Sequence, residues 1–224
     1  MNPYPGYFFD LDGTLVDTAP DIGAALNYTL LRHGYAEVDE ALTRHWIGHG
    51  ARVLIEHALK AQALRRGKAA GLKIPAKEIE PLLAVFLDYY RTHLTERGAP
   101  YPGVVEALRA MRSRGARLAV ITNKLAGLSV PLLTELGLDG FFQTIIGGDT
   151  AARPKPAADP ALLACERLDL QPAQALFVGD SATDVNCARA AGCPVVVVRD
   201  GYSHGTPAAE LGADAVIESF LDLV

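Results

Sequence analysis

The sequence contains little cysteine and no long apolar run. Its 224 residues include three cysteines, and these are widely spaced. Such an odd, scattered set suits buried, reduced thiols in a cytoplasmic protein better than a disulfide framework. The apolar stretches, such as CPVVVV, fall far short of the roughly 18 residues that a membrane-spanning helix requires. We therefore expect no membrane partner. The three cysteines are Cys165, Cys187 and Cys193.

The sequence also lacks a basic tract. The formal net charge is -5, and lysine and arginine form no long cluster, so nucleic acid is excluded as an expected partner. The first ten residues, MNPYPGYFFD, contain neither the basic nor the apolar segment of a secretory signal. The composition, half hydrophobic and 21% charged, is typical of a globular protein.

Six short apolar runs predict the strands of a parallel sheet. Each is a continuous run of β-branched or aromatic residues, which is typical of strands buried on both faces. The runs cover residues 7–12, 117–123, 144–149, 175–180, 194–200 and 214–218. After residue 100, helical patterns alternate with the runs. This alternation predicts an α/β protein with a doubly wound, Rossmann-like parallel sheet.

Residues 18–98 interrupt the alternation of strands and helices. This stretch contains about four segments with apolar residues at helical spacing, and we find no strand pattern in it. The sequence therefore predicts a helical cap domain inserted directly after the first strand. We divide the chain into an α/β core, residues 1–16 and 99–224, and a helical cap, residues 17–98.

Polar residues stand at the carboxyl ends of several predicted strands. The stretch FFDLDGTLVD, residues 8–17, places acidic residues directly behind the first strand. In open parallel sheets, ligands bind beyond the carboxyl ends of the strands. A set of side chains that suits phosphate or a metal ion therefore converges on one crevice. Its members are Asp10, Asp12, Thr122, Asn123, Lys155, Asp180 and Asp184.

Each of these residues also has a purely structural interpretation. An aspartate at a strand end often forms a turn or caps a helix. Lys155, between two prolines, could be an exposed loop residue. The stretch FFDLDGTLVD does not match an EF-hand calcium loop, because Leu15 occupies the position at which such a loop requires glycine. Taken together, the structural interpretations require four coincidences at equivalent ends of one sheet.

Four short motifs carry a family resemblance. DLDGT followed by Leu-Val-Asp, then ITN, then KP, then GDSATD resemble the motifs of the haloacid dehalogenase superfamily, in the same order and spacing. The inserted helical segment resembles that superfamily's cap in its first insertion position. Within the superfamily the chain is most similar to bacterial phosphoglycolate phosphatases. The similar segments are WIGHGARVLIEHAL, ITNK, IIGGDTAARPKPAADPALLACERL and LFVGDSATDVNCARAAGCPVVVVRDGYSHG.

The resemblance implies a phosphomonoesterase that works through an aspartyl phosphate. It implies that Asp10 is the nucleophile and that Asp12 is the general acid and base. It also implies Mg²⁺ bound by the Asp10 carboxylate, the Asp12 backbone carbonyl and Asp180. Asp184 would be a further ligand or would lie close to the ligands. Such hard oxygen donors next to a phosphate suit Mg²⁺.

The remaining motif residues would bind and neutralise the phosphate. The resemblance implies that Thr122 and the Asn123 amide hold phosphoryl oxygens and that Lys155 adds positive charge beside the nucleophile. Dehalogenases of the superfamily characteristically have tyrosine where this chain has Asp12. Because a dehalogenase has no alkoxide to protonate, Asp12 favours phosphoryl transfer.

The cap segment HWIGHGARVL, residues 45–54, is the candidate for substrate selection. Gly48 and Gly50 interrupt two helical patterns and leave a loop that also carries His49, with Arg52 nearby. A small carboxylate such as phosphoglycolate needs backbone amides or a cation there. We predict that these four residues contact the substrate. A plain turn between helices, with a solvent-facing histidine, is the alternative.

The leading hypothesis is hydrolysis of 2-phosphoglycolate to glycolate and phosphate by a monomer or a homodimer. The same core motifs would fit a phosphatase for sugar phosphates, a pyrophosphatase or a phosphosugar mutase of the same fold. A non-catalytic, receiver-like phospho-switch would share the acidic pocket. It would have no inserted cap and no need of a second aspartate as an acid.

Overall fold

The structure, a computed structural model, describes residues 3–68 and 71–224. The strands are β1 (Gly6–Phe9), β2 (Val16–Asp17), β3 (Ala99–Pro100), β4 (Arg117–Ile121), β5 (Thr144–Ile146), β6 (Ala175–Gly179), β7 (Val195–Val198) and β8 (Ala215–Ile217). Six of them form one parallel sheet in the order β5-β4-β1-β6-β7-β8. Five of the predicted runs contain one of these strands and the sixth, residues 7–12, overlaps β1, so the predicted parallel α/β sheet is confirmed.

In the described part of the chain, four helices lie between β2 and β3, in the segment that we propose as the cap. They are α1 (Ala19–Arg32), α2 (Glu40–Trp46), α3 (Ala51–Arg65) and α4 (Ala76–Tyr90). Helix α1 packs against α2 and α4, and α3 packs against α4. Strands β2 and β3 pair as a short antiparallel ribbon where the chain leaves the core and returns to it. We propose this ribbon as the junction of core and cap.

Both faces of the sheet are buried because successive side chains of a strand point to opposite faces. On β1, Tyr7 and Phe9 join one apolar cluster and Phe8 joins the other. The first cluster includes residues of α5 (Val104–Ser113) and α6 (Ala126–Glu135), and the second includes residues of α7 (Asp159–Leu168) and α8 (Ala182–Ala191). This double burial explains why the strands read as continuous apolar runs.

The strand order reverses at β1. After the cap, the chain adds β4 and β5 on one side of β1 and then β6, β7 and β8 on the other. Parallel strands place their carboxyl ends at one edge, and ligands bind where the order reverses. The ends of β4, β1 and β6 therefore form the expected crevice.

The three cysteines are buried and unpaired, as the sequence predicts. Burial raises the pKa of Cys187 to about 11, so this thiol keeps its proton at neutral pH. In the described part of the chain, no helix combines the length and the apolar character that crossing a bilayer would demand.

Candidate active site

Three adjacent strands deliver residues to the crevice. Asp10 follows β1, Thr122 follows β4 and Asp180 follows β6. The Asp10 amide donates to the Val178 carbonyl at 3.0 Å, and the Thr122 amide donates to the Ile146 carbonyl at 2.9 Å. Sheet hydrogen bonding thus continues to the point where the side chains enter the crevice. This pairing fixes the backbone from which Asp10 and Thr122 project.

Lys155 lies between two buried carboxylates. Its Nζ is 2.7 Å from Asp10 Oδ1 and 2.7 Å from Asp184 Oδ1, and it donates to the Ile121 carbonyl at 2.9 Å. Burial by itself lowers the pKa of this ammonium, but Asp10 and Asp184 together raise it well above its usual range. Lys155 therefore holds a fixed positive charge beside Asp10.

Asp10, Asp180 and Asp184 can hold a metal ion. Each offers one carboxylate oxygen, and these oxygens lie within 4.8 Å of one another. Burial raises the pKa of Asp10 to about 7 in spite of Lys155, and burial together with the other two carboxylates raises that of Asp180. Three buried carboxylates around one lysine leave an excess of negative charge. An all-oxygen donor set with such an excess suits a divalent cation such as Mg²⁺.

Asp184 also organises its surroundings. Its Oδ2 accepts the Ser181 hydroxyl at 2.7 Å and the amides of Ser181 and Asp180 at 3.1 and 3.3 Å. Although burial disfavours its charge, Lys155 holds the pKa of Asp184 below its ordinary value. Asp184 therefore positions both Lys155 and the loop that carries Asp180.

The loop after β1 passes very close to Asp180. Gly13 has a φ of +86°, which an L side chain rarely adopts. A Cβ at this position would lie 2.2 Å from Asp180 Oδ2 and 2.7 Å from the Tyr202 ring. Glycine in DLDGT thus lets the loop that carries Asp10 and Asp12 turn against the end of β6.

Asp12 pairs with Lys124, a residue for which the sequence motifs predict no role. Asp12 Oδ1 accepts from Lys124 Nζ at 2.7 Å and from Thr18 Oγ1 at 2.7 Å. Lys124 is 7% exposed, and its Nζ lies 4.8 Å from the centre of the Tyr90 ring. The segment ITNK contains this lysine. However, its partner Asp12 is 112 positions away in the sequence, so local spacing gives no sign of the pair.

Asn123 links the core to the cap. Its side-chain amide donates to the Gly48 carbonyl of the cap and to the Lys155 carbonyl of the core, both at 3.0 Å. The neighbouring Thr122 Oγ1 accepts the Lys124 amide at 3.1 Å, which leaves the hydroxyl proton for another acceptor. Both residues line the same cavity as Asp10.

This cavity lies between core and cap. Its volume, as space for the centre of a water molecule, is about 50 Å³, and the space around it is partly open to solvent. Its polar lining comes mainly from the core, with the Tyr90 hydroxyl from α4, and its apolar lining comes mainly from the cap. The polar residues of the core are Asp10, Asp12, Thr122, Asn123 and Lys124, and the apolar residues of the cap include Ile22, Ile47, Leu54 and Phe86. A polar floor beneath a largely apolar wall suits a small phosphate ester.

The structure brings two of the four predicted cap contacts to the cavity. Gly48 and Gly50 line it, whereas His49 and Arg52 are not among the lining residues. Arg52 is half exposed and forms an ion pair with Glu80 of α4. Because α3 begins at Ala51, the helical turn directs Arg52 towards α4 and places Ala51 at the cavity.

A core loop, residues 199–205, forms hydrogen bonds with the first residues of the cap. The Tyr202 hydroxyl donates to Asp17 and accepts the Ala19 amide at 3.0 Å. Arg44 of α2 binds both oxygens of Asp17 at 2.9 Å. His204 of the same loop stacks on His49 with ring centres 4.9 Å apart, which explains why His49 lies outside the cavity.

Comparisons with known proteins agree with this architecture. A model of the haloacid dehalogenase-like hydrolase family matches residues 7–198. The phosphoglycolate phosphatase of Caulobacter vibrioides is 40% identical over 215 residues, 96% of this chain and 87% of that protein. Phosphoglycolate phosphatase 1 of Pseudomonas aeruginosa is 41% identical over 218 residues, 96% of this chain and 77% of that protein. A crystal structure described as a predicted phosphoglycolate phosphatase, from Haemophilus somnus 129PT, has a TM-score of 0.92 at 34% identity and covers 100% of this chain and 97% of its own.

Proposed function

The chain belongs to the haloacid dehalogenase-like hydrolase family and is a phosphoric monoester hydrolase, and on this basis we propose that it hydrolyses 2-phosphoglycolate to glycolate and phosphate with Mg²⁺. The observation that carries the proposal is the pairing of Lys155 with Asp10 beneath a cavity that Asp12 also lines. A nucleophile and a second carboxylate thus line one small cavity, and a fixed positive charge lies beside the nucleophile.

The first displacement forms an aspartyl phosphate. Asp10 attacks phosphorus while the bond between phosphorus and the ester oxygen breaks. Lys155 offsets the negative charge, and Thr122 and the Asn123 amide hold the phosphoryl oxygens. Asp12, at the cavity, gives its proton to the leaving oxygen, so that glycolate departs with a hydroxyl group and not as an alkoxide.

The second displacement releases phosphate. Asp12, now a carboxylate, takes a proton from a water molecule, whose oxygen attacks phosphorus. The bond between phosphorus and Asp10 breaks, which restores both carboxyl groups to their starting states. Thr18 and Lys124 hold Asp12 Oδ1, so Oδ2 is the oxygen that we expect to exchange the proton.

A divalent metal would complete the charge balance. Asp10 and Asp180, with the Asp12 backbone carbonyl and with Asp184 alongside, are the groups that would hold it. Bound there, Mg²⁺ would supply positive charge to the phosphoryl oxygens. The excess of buried carboxylate over Lys155 supports this part of the proposal.

The cap wall favours a small substrate over a sugar phosphate. Sugar hydroxyls need several polar partners, because a buried polar group without a partner costs free energy. Ile22, Ile47, Leu54 and Phe86 offer none at the wall that they form. A receiver-like switch would not need a cap over its aspartate, and here helices α1–α4 build one.

The proposal is tested by phosphate release on a panel of esters with Mg²⁺. We expect 2-phosphoglycolate to exceed glucose 6-phosphate, glucose 1-phosphate and pyrophosphate in kcat/KM by at least tenfold, or about 1.4 kcal/mol of transition-state discrimination. The same panel with heat-inactivated enzyme measures spontaneous release. A sugar phosphate that leads the panel would contradict the proposed substrate and leave the phosphatase chemistry in place.

Removal of Mg²⁺ is expected to abolish turnover reversibly. Protein treated with chelator and then dialysed should lose at least about 100-fold in kcat and regain it on addition of Mg²⁺. Because a ligand that binds the folded form stabilises it, Mg²⁺ should also raise the temperature of unfolding. Full activity of the metal-free protein would contradict the assignment of the carboxylate cluster to a metal.

We propose a cytoplasmic location, which the three free, buried thiols support. We also propose that the enzyme works as a monomer or a homodimer on a small-molecule ester, without nucleic acid or a membrane as partner. The acidic net charge supports the absence of nucleic acid.

A further inference from the structure

Lys124 is the one basic side chain among the described residues that line the cavity. Two nearby basic residues are engaged elsewhere: Lys155 pairs with Asp10 and Asp184, and Arg52 pairs with Glu80. Lys124 donates one hydrogen bond to Asp12, and an ammonium group has three donors. A cation with unused donors therefore faces the cavity.

Tyr90, the last residue of α4, lines the same cavity and is 1% exposed. Its hydroxyl has no hydrogen-bond partner in the part of the chain that the structure describes. Burial raises the pKa of Tyr90 to about 12, although the Lys124 ammonium beside it acts to lower it, so the hydroxyl keeps its proton and can donate it in a hydrogen bond. A buried donor without a partner costs free energy unless a ligand or water satisfies it.

The two side chains lie next to each other. Lys124 Nζ is 4.8 Å from the centre of the Tyr90 ring and 2.7 Å from Asp12 Oδ1. Apolar side chains surround them, including Ile22 and Phe86. The lining thus combines one ammonium and, beside it, one hydroxyl in an otherwise apolar part of the cavity. This arrangement matches a ligand with a single anionic end.

We propose that Lys124 and the Tyr90 hydroxyl bind the carboxylate of the substrate and so select an ester with an anionic organic end. The inference rests on the proposed function and deepens it, since it names the residues that bind the unreactive end of the substrate. It replaces His49 and Arg52, which the structure places outside the cavity.

The geometry of 2-phosphoglycolate agrees with this assignment. A single methylene group separates its ester oxygen from its carboxyl carbon. Asp12 protonates the ester oxygen, so the substrate's carboxylate must lie close to Asp12. Lys124, which donates a hydrogen bond to Asp12, is then the nearest cation to the substrate's carboxylate. An ester oxygen at Asp12 and a carboxylate at Lys124 and Tyr90 would occupy adjacent positions along one short substrate.

The test compares 2-phosphoglycolate with ethyl phosphate, which replaces the carboxylate by a methyl group. The wild type should prefer 2-phosphoglycolate by at least tenfold in kcat/KM. Tyr90→Phe should reduce this preference by about tenfold, mainly through a higher KM for 2-phosphoglycolate. Lys124→Met should reduce 2-phosphoglycolate turnover by at least about 100-fold. Turnover of ethyl phosphate should fall less, because for this substrate the substitution removes only the hydrogen bond from Lys124 to Asp12.

Two matched substitutions outside the cavity serve as controls. Tyr89→Phe changes the neighbouring tyrosine of α4, which stacks on Tyr28 and His93, and Lys60→Met removes a lysine that pairs with Glu56. Both should keep the wild-type preference. Circular dichroism and the ethyl phosphate rate show whether each variant is folded.

The outcomes separate the inference from the proposed function. A wild-type preference that Tyr90→Phe and Lys124→Met both retain would overturn the inference alone. In that case Lys124 would act only as the partner of Asp12. A wild type that does not prefer 2-phosphoglycolate to ethyl phosphate would contradict the proposed substrate and the inference together.

Discussion

Asp10→Asn is expected to abolish turnover, with a loss in kcat on the order of 10⁴-fold or more, because an amide cannot replace the carboxylate as nucleophile. The side chain is nearly the same size, and its oxygen can still accept from Lys155, so the protein should fold. The measurement is single-turnover and steady-state phosphate release from purified protein. Asp88→Asn, an exposed position on α4, is the matched control and should retain full activity. Substantial turnover by Asp10→Asn would contradict the assignment of the nucleophile.

The same substitution should change how the stability of the metal-free protein depends on pH. Burial raises the pKa of Asp10 to about 7 in the folded protein, from an ordinary value of 3.8. The folded state therefore binds the proton more tightly, and this contribution to stability is present below about pH 4 and lost as pH rises to about 7. Urea unfolding between pH 4 and pH 8 should show a smaller decline for Asp10→Asn than for wild type. If the two stability curves were parallel, they would contradict a raised pKa of Asp10 in the folded protein.

Much of the sheet could be predicted because burial on both faces leaves a local mark. Segments such as 117–121 and 195–198 are continuous apolar runs, and their strand character needs no knowledge of their neighbours. The strand order is different, because it depends on pairs such as Phe8 with Ala119 and Phe8 with Phe177. These pairs are distant along the chain, so no local pattern specifies them.

The floor of the candidate site follows from the sheet. Once the strands are parallel, residues directly behind them must lie at one edge, which is why Asp10, Thr122 and Asp180 could be grouped from sequence. Lys124 and Tyr90 could not be, since their meeting depends on how α4 of the cap packs over the core. Only the tertiary arrangement brings Lys124, which follows β4, to Tyr90 at the end of α4.

Arg52 is close in sequence to Gly48 and Gly50, which line the cavity, but Arg52 itself does not line it. The glycines beside it suggested an open loop in which a basic side chain would turn to the substrate. Instead α3 starts at Ala51, and the first helical turn presents Arg52 to Glu80 of the neighbouring α4. One position of offset in a helix rotates a side chain by about 100°. The onset of the helix, more than the residue type, decides which side chain reaches the cavity.

Lys155→Met is expected to impair both turnover and folding. It leaves Asp10 and Asp184 buried without the ammonium that lies 2.7 Å from each. Removal of one partner of a buried ion pair typically costs about 3–5 kcal/mol, which urea unfolding measures directly. Loss of the charge that offsets the attacking carboxylate should lower kcat by about 10²- to 10³-fold at saturating Mg²⁺. Lys60→Met, on the cap, should do neither.

A second variant separates the two roles of Lys155. In Lys155→Met with Asp184→Asn, one of the two stranded carboxylates is neutral, so much of the lost stability should return. Turnover should not return, because Asp10 still lacks its cation and the metal cluster has lost a carboxylate. If Lys155→Met alone lost stability but kept wild-type kcat, the charge would serve only the fold. That result would contradict the proposed catalytic role of Lys155, whatever the outcome of the Asp10→Asn experiment.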